Sequence, residues 1–418
     1  MKYLVLCTLM IGQLAWAAPQ EIDDYHWTGV ERVVAIGDIH GDYPHYMDTL
    51  RAAGLVNAKG RWTGSGTHLV QVGDIPDRGP DTLKIIRHLQ KLAKEAHRKG
   101  GAVHSLIGNH EAMNMYGDLS YVTAGEFAAF ANRNSTSLRD RYFDVVMQMM
   151  QQNDPEGFAA LPENYRELWD KDHPLGWLEH RQAWSTAWNP DAELAAWVLD
   201  RKVAIQINDM IFLHGGISGF YCQNSLRSLT EKVVSGLRNF DPDNPGILQD
   251  EFGPLWYRGL SGREPVAAPE TVQAMLDRHD ARHVVIGHTP TGGAIWSRYG
   301  GKVIQIDSGI STVYGGHVAY LEATAEGLFA GYPGGKIRLP ADESGLLPYL
   351  EQVIALEPEN THLQKMLNNL KNPPAEMADT SATKVSESQS ESAADAGSDE
   401  TAAPAPKPLT VPICGISE

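Results

Sequence analysis

Five short apolar runs in this chain each end in a glycine-flanked polar cluster, and that recurrence restricts the fold more than any other feature. Arg32-Val33-Val34-Ala35-Ile36 leads into Gly37-Asp38-Ile39-His40-Gly41-Asp42, and His68-Leu69-Val70-Gln71-Val72 into Gly73-Asp74-Ile75-Pro76-Asp77-Arg78-Gly79. The runs 102–107, 210–213 and 283–286 lead into Gly108-Asn109-His110-Glu111, His214-Gly215-Gly216 and Gly287-His288-Thr289-Pro290. Each run has the length and apolar content of a buried strand. Polar side chains in a row at the end of such a strand add nothing to a core. In an open α/β sheet, however, binding groups collect beyond the carboxyl ends of the strands. The five clusters are therefore expected to meet in space although they lie far apart in sequence. Asp38 and His40, two residues apart, would project to one side if strand geometry continued through them.

The spacing between the first three runs predicts strand–helix–strand–helix–strand alternation, and hence an α/β sheet. One helix is expected over 43–53, closing near Gly54. Another opens at Pro80 and stops at Gly100-Gly101, with Leu83, Ile86, Leu89, Leu92 and Ala96 along one face. Residues 112–200 are rich in Trp, Tyr, Met and Phe at helical spacing, as in Phe143, Val146, Met147 and Met150, and read as a helical insert. Its aromatics suit the core of that insert, and some are candidates to roof a cleft. A hairpin over 203–213 follows, then helices near 226–237 and 271–279. Strands in antiparallel hairpins are expected at 302–306, 318–321 and 328–332, and a last amphipathic helix over 359–370.

Both ends of the chain read differently. Lys2, the apolar stretch 4–14 and Ala15-Trp16-Ala17 fit an export signal over 1–17. That stretch is too short to span a bilayer, so no stable membrane insertion is expected after cleavage, and the expected location is periplasmic or secreted. Residues 18–371 form the expected catalytic domain. Residues 372–418 hold almost no large apolar residue before Leu409 and are mostly Ala, Ser, Glu, Asp, Thr and Pro, which predicts a disordered acidic tail. The formal net charge of −17 argues against a nucleic-acid partner. Outside the signal the cysteines are Cys222 and Cys414, for which a disulfide and two free thiols are both open on sequence grounds.

The clusters supply oxygen and imidazole donors and no thiolate, a set suited to Mn, Fe or Zn. Asp38, His40, Asp74, Asn109, His214 and His288 are the candidate metal ligands. Six donors serve two ions only if one carboxylate is shared, which would hold the ions about 3.5–4 Å apart. Two divalent ions outweigh Asp38, Asp74 and a bridging hydroxide, and Arg78 and Arg258 add positive charge. The planar guanidinium fork suits phosphate oxygens. Singly these signals are weak: aspartate after glycine usually marks a turn, and a lone His214 or His288 is more often structural. The ordered set of five carries the reading. His173, His180 and His317 lie outside it and receive no role.

These motifs resemble those of the metallophosphoesterase superfamily, and within it the phosphoprotein phosphatases. The similarity covers residues 32–308. The helical insert and Pro254-Leu255-Trp256-Tyr257-Arg258-Gly259 are most similar to the Shewanella-like protein phosphatases. The resemblance implies an α/β fold, a four-layer α/β/β/α metallophosphoesterase sandwich. It implies one metal on Asp38, His40 and Asp74, and a second on Asp74, Asn109, His214 and His288. His110 would donate a proton to the leaving oxygen, oriented by Asp77, while Arg78 and Arg258 hold the phosphate. The implied reaction is hydrolysis of phosphomonoesters in a phosphoprotein or phosphopeptide by a metal-bridging hydroxide, with phosphotyrosine favoured over phosphoserine and phosphothreonine. Two competitors remain: a dinucleoside polyphosphate hydrolase or other phosphodiesterase on the same scaffold, and a non-catalytic metal- or phosphoprotein-binding module. Asp-Arg-Gly together with Asn-His-Glu disfavours the first, and the complete set of ligands, acid and clamps disfavours the second.

Overall fold

The computed structural model describes residues 20–372 together with Val411, Pro412 and Cys414. The export signal expected over 1–17, and almost all of the acidic tail, lie outside the described residues. The strands are β1 (Gln20–Asp23), β2 (His26–Thr28), β3 (Arg32–Ile36), β4 (His68–Gln71), β5 (Ala102–Ser105), β6 (Ala204–Ile207) and β7 (Met210–Leu213), followed by β8 (His283–Ile286), β9 (Trp296–Arg298), β10 (Val303–Gln305), β11 (Tyr320–Thr324), β12 (Gly327–Tyr332) and β13 (Gly335–Arg338). One sheet has the order β13-β12-β11-β3-β4-β5, with β3, β4 and β5 parallel. The other has the order β1-β2-β6-β7-β8-β10-β9, with β7, β8 and β10 parallel. Helices α1 (Tyr43–Ala52), α2 (Thr82–His97) and α3 (Asn109–Tyr116) follow β3, β4 and β5. The insert contributes α4 (Ala124–Phe130), α5 (Ser135–Asn153), α6 (Pro155–Ala159), α7 (Tyr165–Asp172), α8 (Trp177–Trp184) and α9 (Glu193–Leu199). After it come α10 (Leu226–Arg238), α11 (Pro269–Arg278), α12 (Leu346–Leu356) and α13 (Thr361–Lys371).

The period-2 alternation of the strands generates the layers. On β3, Val33 and Ala35 face the second sheet, in one core with Ile205, Phe212, Val285 and Ile304. Val34 and Ile36 point the other way, onto Tyr46 and Leu50 of α1 and Ile85 and Leu89 of α2. The second sheet mirrors this: Phe212 and Val285 face inward, while Ile211, Leu213, Val284 and Ile286 pack on Leu226 and Leu229 of α10 and Val272 and Met275 of α11. Helix, sheet, sheet, helix is the four-layer order expected. Each Val, Leu, Ile, Phe or Met side chain so buried contributes about 1.5–3 kcal/mol. The insert's aromatics form a core of their own, with Tyr142 against Trp169, Trp177 and Trp188.

Three local expectations change. The strand near 302–306 is not simply half of a hairpin, because β10 also pairs in parallel with β8. Its antiparallel partner β9 is only three residues long, too short for alternation to reveal. Helix α12, not anticipated, drives Tyr349, Leu350 and Val353 into the core between the sheets.

Cys222 and Cys414 form a disulfide, with Cα atoms 5.8 Å apart and 192 residues between them in sequence. It ties the far C-terminus to the segment following His214. Closing so long a loop restricts the unfolded chain, and Cys414→Ser is expected to lower stability by about 2–5 kcal/mol. Urea unfolding with and without reductant measures this; an unchanged midpoint would mean that the tether adds nothing.

Candidate metal centre and active site

The loops that leave β3, β4 and β5 touch backbone to backbone. At Gly73 (φ +103°) a Cβ would lie 2.5 Å from the Gly108 nitrogen, and at Gly41 (φ +64°) 2.5 Å from the Gly79 oxygen. Only glycine permits both the approach and the left-handed conformation. Five of the nine non-glycine residues with positive φ among the described residues belong to the expected site: His40, Asp74, Asp77, Arg78 and His288. Each such conformation costs about 1–3 kcal/mol and persists only where surrounding contacts dictate it. His40, at φ +47°, breaks the strand geometry expected to carry it alongside Asp38. The two side chains converge through a turn instead, with His40 Nε2 4.0 Å from Asp38 Oδ2.

Asp38, His40, Asp74, Asn109, His110, His214 and His288 meet at the carboxyl ends of both sheets, each no more than 5% exposed. Three imidazoles share one device. The Nδ1 of His40 donates to the Pro76 carbonyl, the Nδ1 of His214 to the Val72 carbonyl and the Nε2 of His288 to the Trp256 carbonyl, each at 3.1 Å. A carbonyl accepts only, so in the neutral ring the opposite nitrogen presents a lone pair to the centre. Burial holds His40 at a pKa of about 3, and burial with His214 keeps His288 well below the usual imidazole range, so both rings are neutral.

Around His214 Nε2 lie Asn109 Oδ1 at 2.8 Å, His288 Nδ1 at 3.0 Å and Asp74 Oδ2 at 3.3 Å. Electron-pair donors crowded this closely repel one another unless a cation lies among them, and the oxygen–imidazole set suits a first-row metal. Asp74, His214 and His288 form one group able to hold an ion, and His40, Asp74 and His110 a second, so Asp74 is common to both. Asp38 stands slightly apart, its carboxylate accepting from the His288 backbone N–H at 3.1 Å. Burial, then Asp307 and Asp74, push the Asp38 carboxyl well above its usual range. Burial opposes ionisation of Asp74, but His214 and His110 hold it well below. A divalent cation would favour the charged form of both.

His110 is oriented differently. Its Nδ1 pairs with the Asp77 carboxylate, whose other oxygen accepts from Asn114 Nδ2 at 2.9 Å. Its Nε2 is 3.8 Å from Asp74 Oδ2. Burial lowers the pKa of His110, but Asp74 and Asp77 outweigh it and raise the net value, which favours retention of a proton. Arg78 lies between two tyrosine rings, 4.3 Å from Tyr121 and 5.3 Å from Tyr314. Arg258 donates from Nη1 to the His288 carbonyl and to Thr289 Oγ1, joining the turn after β8.

Several residues with evident work escaped sequence reasoning. Glu111 is buried, and its carboxylate accepts from the backbone N–H groups of Asp74, Ile75 and Gly108 at 2.8–2.9 Å, bracing the two loops that meet there. Burial, then Asp74, raise its pKa to about 7. Asp307 follows β10 as Asp38 follows β3, and burial lifts it to about 6. A sixth apolar run ending in an acid was the signal for it. Tyr121 and Tyr314 offered no such signal, since a tyrosine in a loop has no pattern of its own.

A chain that sandwiches two sheets and gathers these donors at their carboxyl ends has the form of a metallophosphoesterase. Residues 31–292 match the calcineurin-like phosphoesterase family, and the chain belongs to it. Shewanella-like protein phosphatase 2 of Arabidopsis thaliana is 31% identical over 291 residues, 67% of this chain and 72% of that one. An uncharacterized protein of Schizosaccharomyces pombe is 32% identical over 296 residues, 69% of this chain and 76% of that one. The cold-active protein-tyrosine phosphatase of a psychrophilic Shewanella species shares the fold, with a TM-score of 0.56 at 23% identity over 76% of this chain and 82% of that one. The chain is a phosphatase-family hydrolase, and Shewanella-like protein phosphatases are among its relatives.

Proposed function

We propose that this protein is an exported, metal-dependent phosphatase that hydrolyses phosphotyrosine in proteins or peptides. The observation that carries the reading is the division among four buried imidazoles. Three are fixed through backbone carbonyls with a lone pair facing inward, and the fourth, His110, is backed by a carboxylate. The first arrangement suits metal ligands, the second a proton donor. Asp38, His40 and Asp74 would hold one ion, and Asp74, Asn109, His214 and His288 another. Bound there, the metal pair would lower the pKa of a water and draw charge from the phosphoryl oxygens, equipping the site for in-line hydrolysis.

The chain's own residues do the rest. Arg78 and Arg258 bind phosphoryl oxygens, Arg78 through a guanidinium steadied between aromatic faces. His110 gives its Nε2 proton to the departing oxygen while Asp77 holds its Nδ1. Tyr121 and Tyr314, whose rings lie 5.2 Å from His110 and 5.4 Å from His40, form walls against which a phenyl ring would stack. This supports phosphotyrosine over the aliphatic phosphoesters. Beside Arg258 opens a cavity of about 580 Å³ lined by Tyr116, Asp118, Trp256, Arg263 and Glu264, room for residues flanking the phosphorylated one. Export is supported by the Cys222–Cys414 disulfide, since such bonds persist mainly in oxidising compartments.

The test is a panel of phosphotyrosine, phosphoserine and phosphothreonine peptides, assayed after chelation and after restoration with Mn, Fe or Zn. Chelation should abolish turnover and metal should restore it. Two aromatic contacts worth about 0.5–1.5 kcal/mol each predict a kcat/KM for phosphotyrosine roughly tenfold above phosphoserine, eroded in Tyr121→Ala and Tyr314→Ala. Equal rates across the peptides, or faster hydrolysis of diadenosine tetraphosphate than of any peptide, would defeat this assignment.

A further inference from the structure

Glu126 lies in the helical insert, well outside the set just described, and is fully buried. Its Oε2 accepts from the backbone N–H of Asp77 at 3.1 Å. Its Oε1 has no hydrogen-bond partner among the described residues and lies 3.9 Å from His180 Nε2, an imidazole whose two nitrogens are also unpartnered. Five residues earlier, the Tyr121 carbonyl accepts from the backbone N–H of Arg78 at 2.9 Å. The insert therefore grips two consecutive residues, Asp77 and Arg78, through their main-chain amides. Those two residues hold φ values of +73° and +63° without being glycine.

Stability alone gives no reason for this carboxyl. A buried polar oxygen without a partner costs about 1–3 kcal/mol, and an apolar residue would suit Phe127, Phe130 and Trp184 around His180 better. Burial, with Asp77 second, also drives the Glu126 carboxyl well above its normal range. What it does accomplish is local: it satisfies the amide of a turn that would otherwise relax toward negative φ. Relaxation there would swing the Asp77 carboxylate off His110 Nδ1.

We propose that Glu126 is a positioning residue for the reaction, clamping the Asp77–Arg78 turn so that Asp77 orients the proton-donating imidazole. This rests on the reading of His110 as the acid. It gives the insert a catalytic purpose beyond packing.

The experiment compares phenyl phosphate, whose leaving group needs a proton, with p-nitrophenyl phosphate, whose leaving group needs it far less, using the metal-loaded full chain. General acid catalysis contributes about 10²–10⁴-fold. Glu126→Ala and the milder Glu126→Asp, which withdraws the acceptor by one methylene, should lower kcat on phenyl phosphate by about tenfold or more. The loss on p-nitrophenyl phosphate should be under about threefold, with metal content unchanged. Glu126→Gln, which keeps a carbonyl oxygen to accept the Asp77 amide, should recover activity to within about threefold of the parent. Equal losses on both esters, or a glutamine variant as impaired as alanine, would overturn the proposal. His110→Asn run alongside separates the two ideas. If that variant shows no leaving-group dependence, the acid reading fails and this inference falls with it. If it does and Glu126→Asp does not, only the role of Glu126 is lost.

Discussion

Replacing Asp74 by asparagine is expected to lower kcat by at least about 10³-fold and to release bound metal, because a charge loss at this position acts on both ligand groups together. Asp74 Oδ2 lies 3.3 Å from His214 Nε2, 3.8 Å from His110 Nε2 and 3.9 Å from His40 Nε2. No other side chain is common to the two candidate groups. Asparagine preserves the size of the residue and an oxygen to accept from the His110 amide, which Asp74 Oδ1 now does at 3.0 Å. The backbone contacts of the loop, held by Glu111, do not depend on the Asp74 charge. The variant should therefore fold, and its defect should read as lost metal rather than lost structure. Elemental analysis of the dialysed protein, beside a thermal melt, separates the two. Full retention of both metals in a folded Asp74→Asn would sink the shared-ligand assignment, whatever the activity did.

The parts of this site that could be read from sequence share one property: each is announced by its neighbours. Asp38, Asp74, Asn109, His214 and His288 follow apolar runs and lie beside glycines, so the strand, the turn and the exposed donor appear together in the string. The layers could be inferred for a related reason, since the alternation Val33, Val34, Ala35, Ile36 encodes two buried faces and hence cover on both sides. Apart from Asp307, which follows an apolar run of its own, what escaped lacks a local signature. Asp77 and Arg78 adopt left-handed backbone without glycine to advertise it. The orientation of each imidazole depends on which carbonyl lies behind it, and those carbonyls come from Pro76, Val72 and Trp256, up to 142 residues from the ring they hold. Glu111 was in plain view within its motif, yet its task exists only once two loops meet over it. The disulfide is of the same kind, because composition allowed it and only the approach of two Cα atoms to 5.8 Å decided it.

His110→Asn tests the other half of the mechanism, and its outcome should depend on the substrate. Asn109 and His110 are adjacent, yet the fold sends their side chains to different tasks: Asn109 Oδ1 faces His214, and His110 turns its Nδ1 to Asp77. His110 also falls within the group formed with His40 and Asp74, so the roles of ligand and acid predict different losses. As a ligand, its loss would remove metal and slow every substrate alike. As the acid, its loss would leave metal content intact and slow each ester in proportion to how badly its leaving group needs a proton. The expected result is the second: kcat on a phosphoserine peptide falls by about 10²–10⁴-fold, and p-nitrophenyl phosphate is much less affected. Phosphotyrosine, whose phenoxide leaves more readily than an alkoxide, should lie between them. A uniform loss across all three, accompanied by metal release, would make His110 a ligand and leave the proton donor to be sought elsewhere.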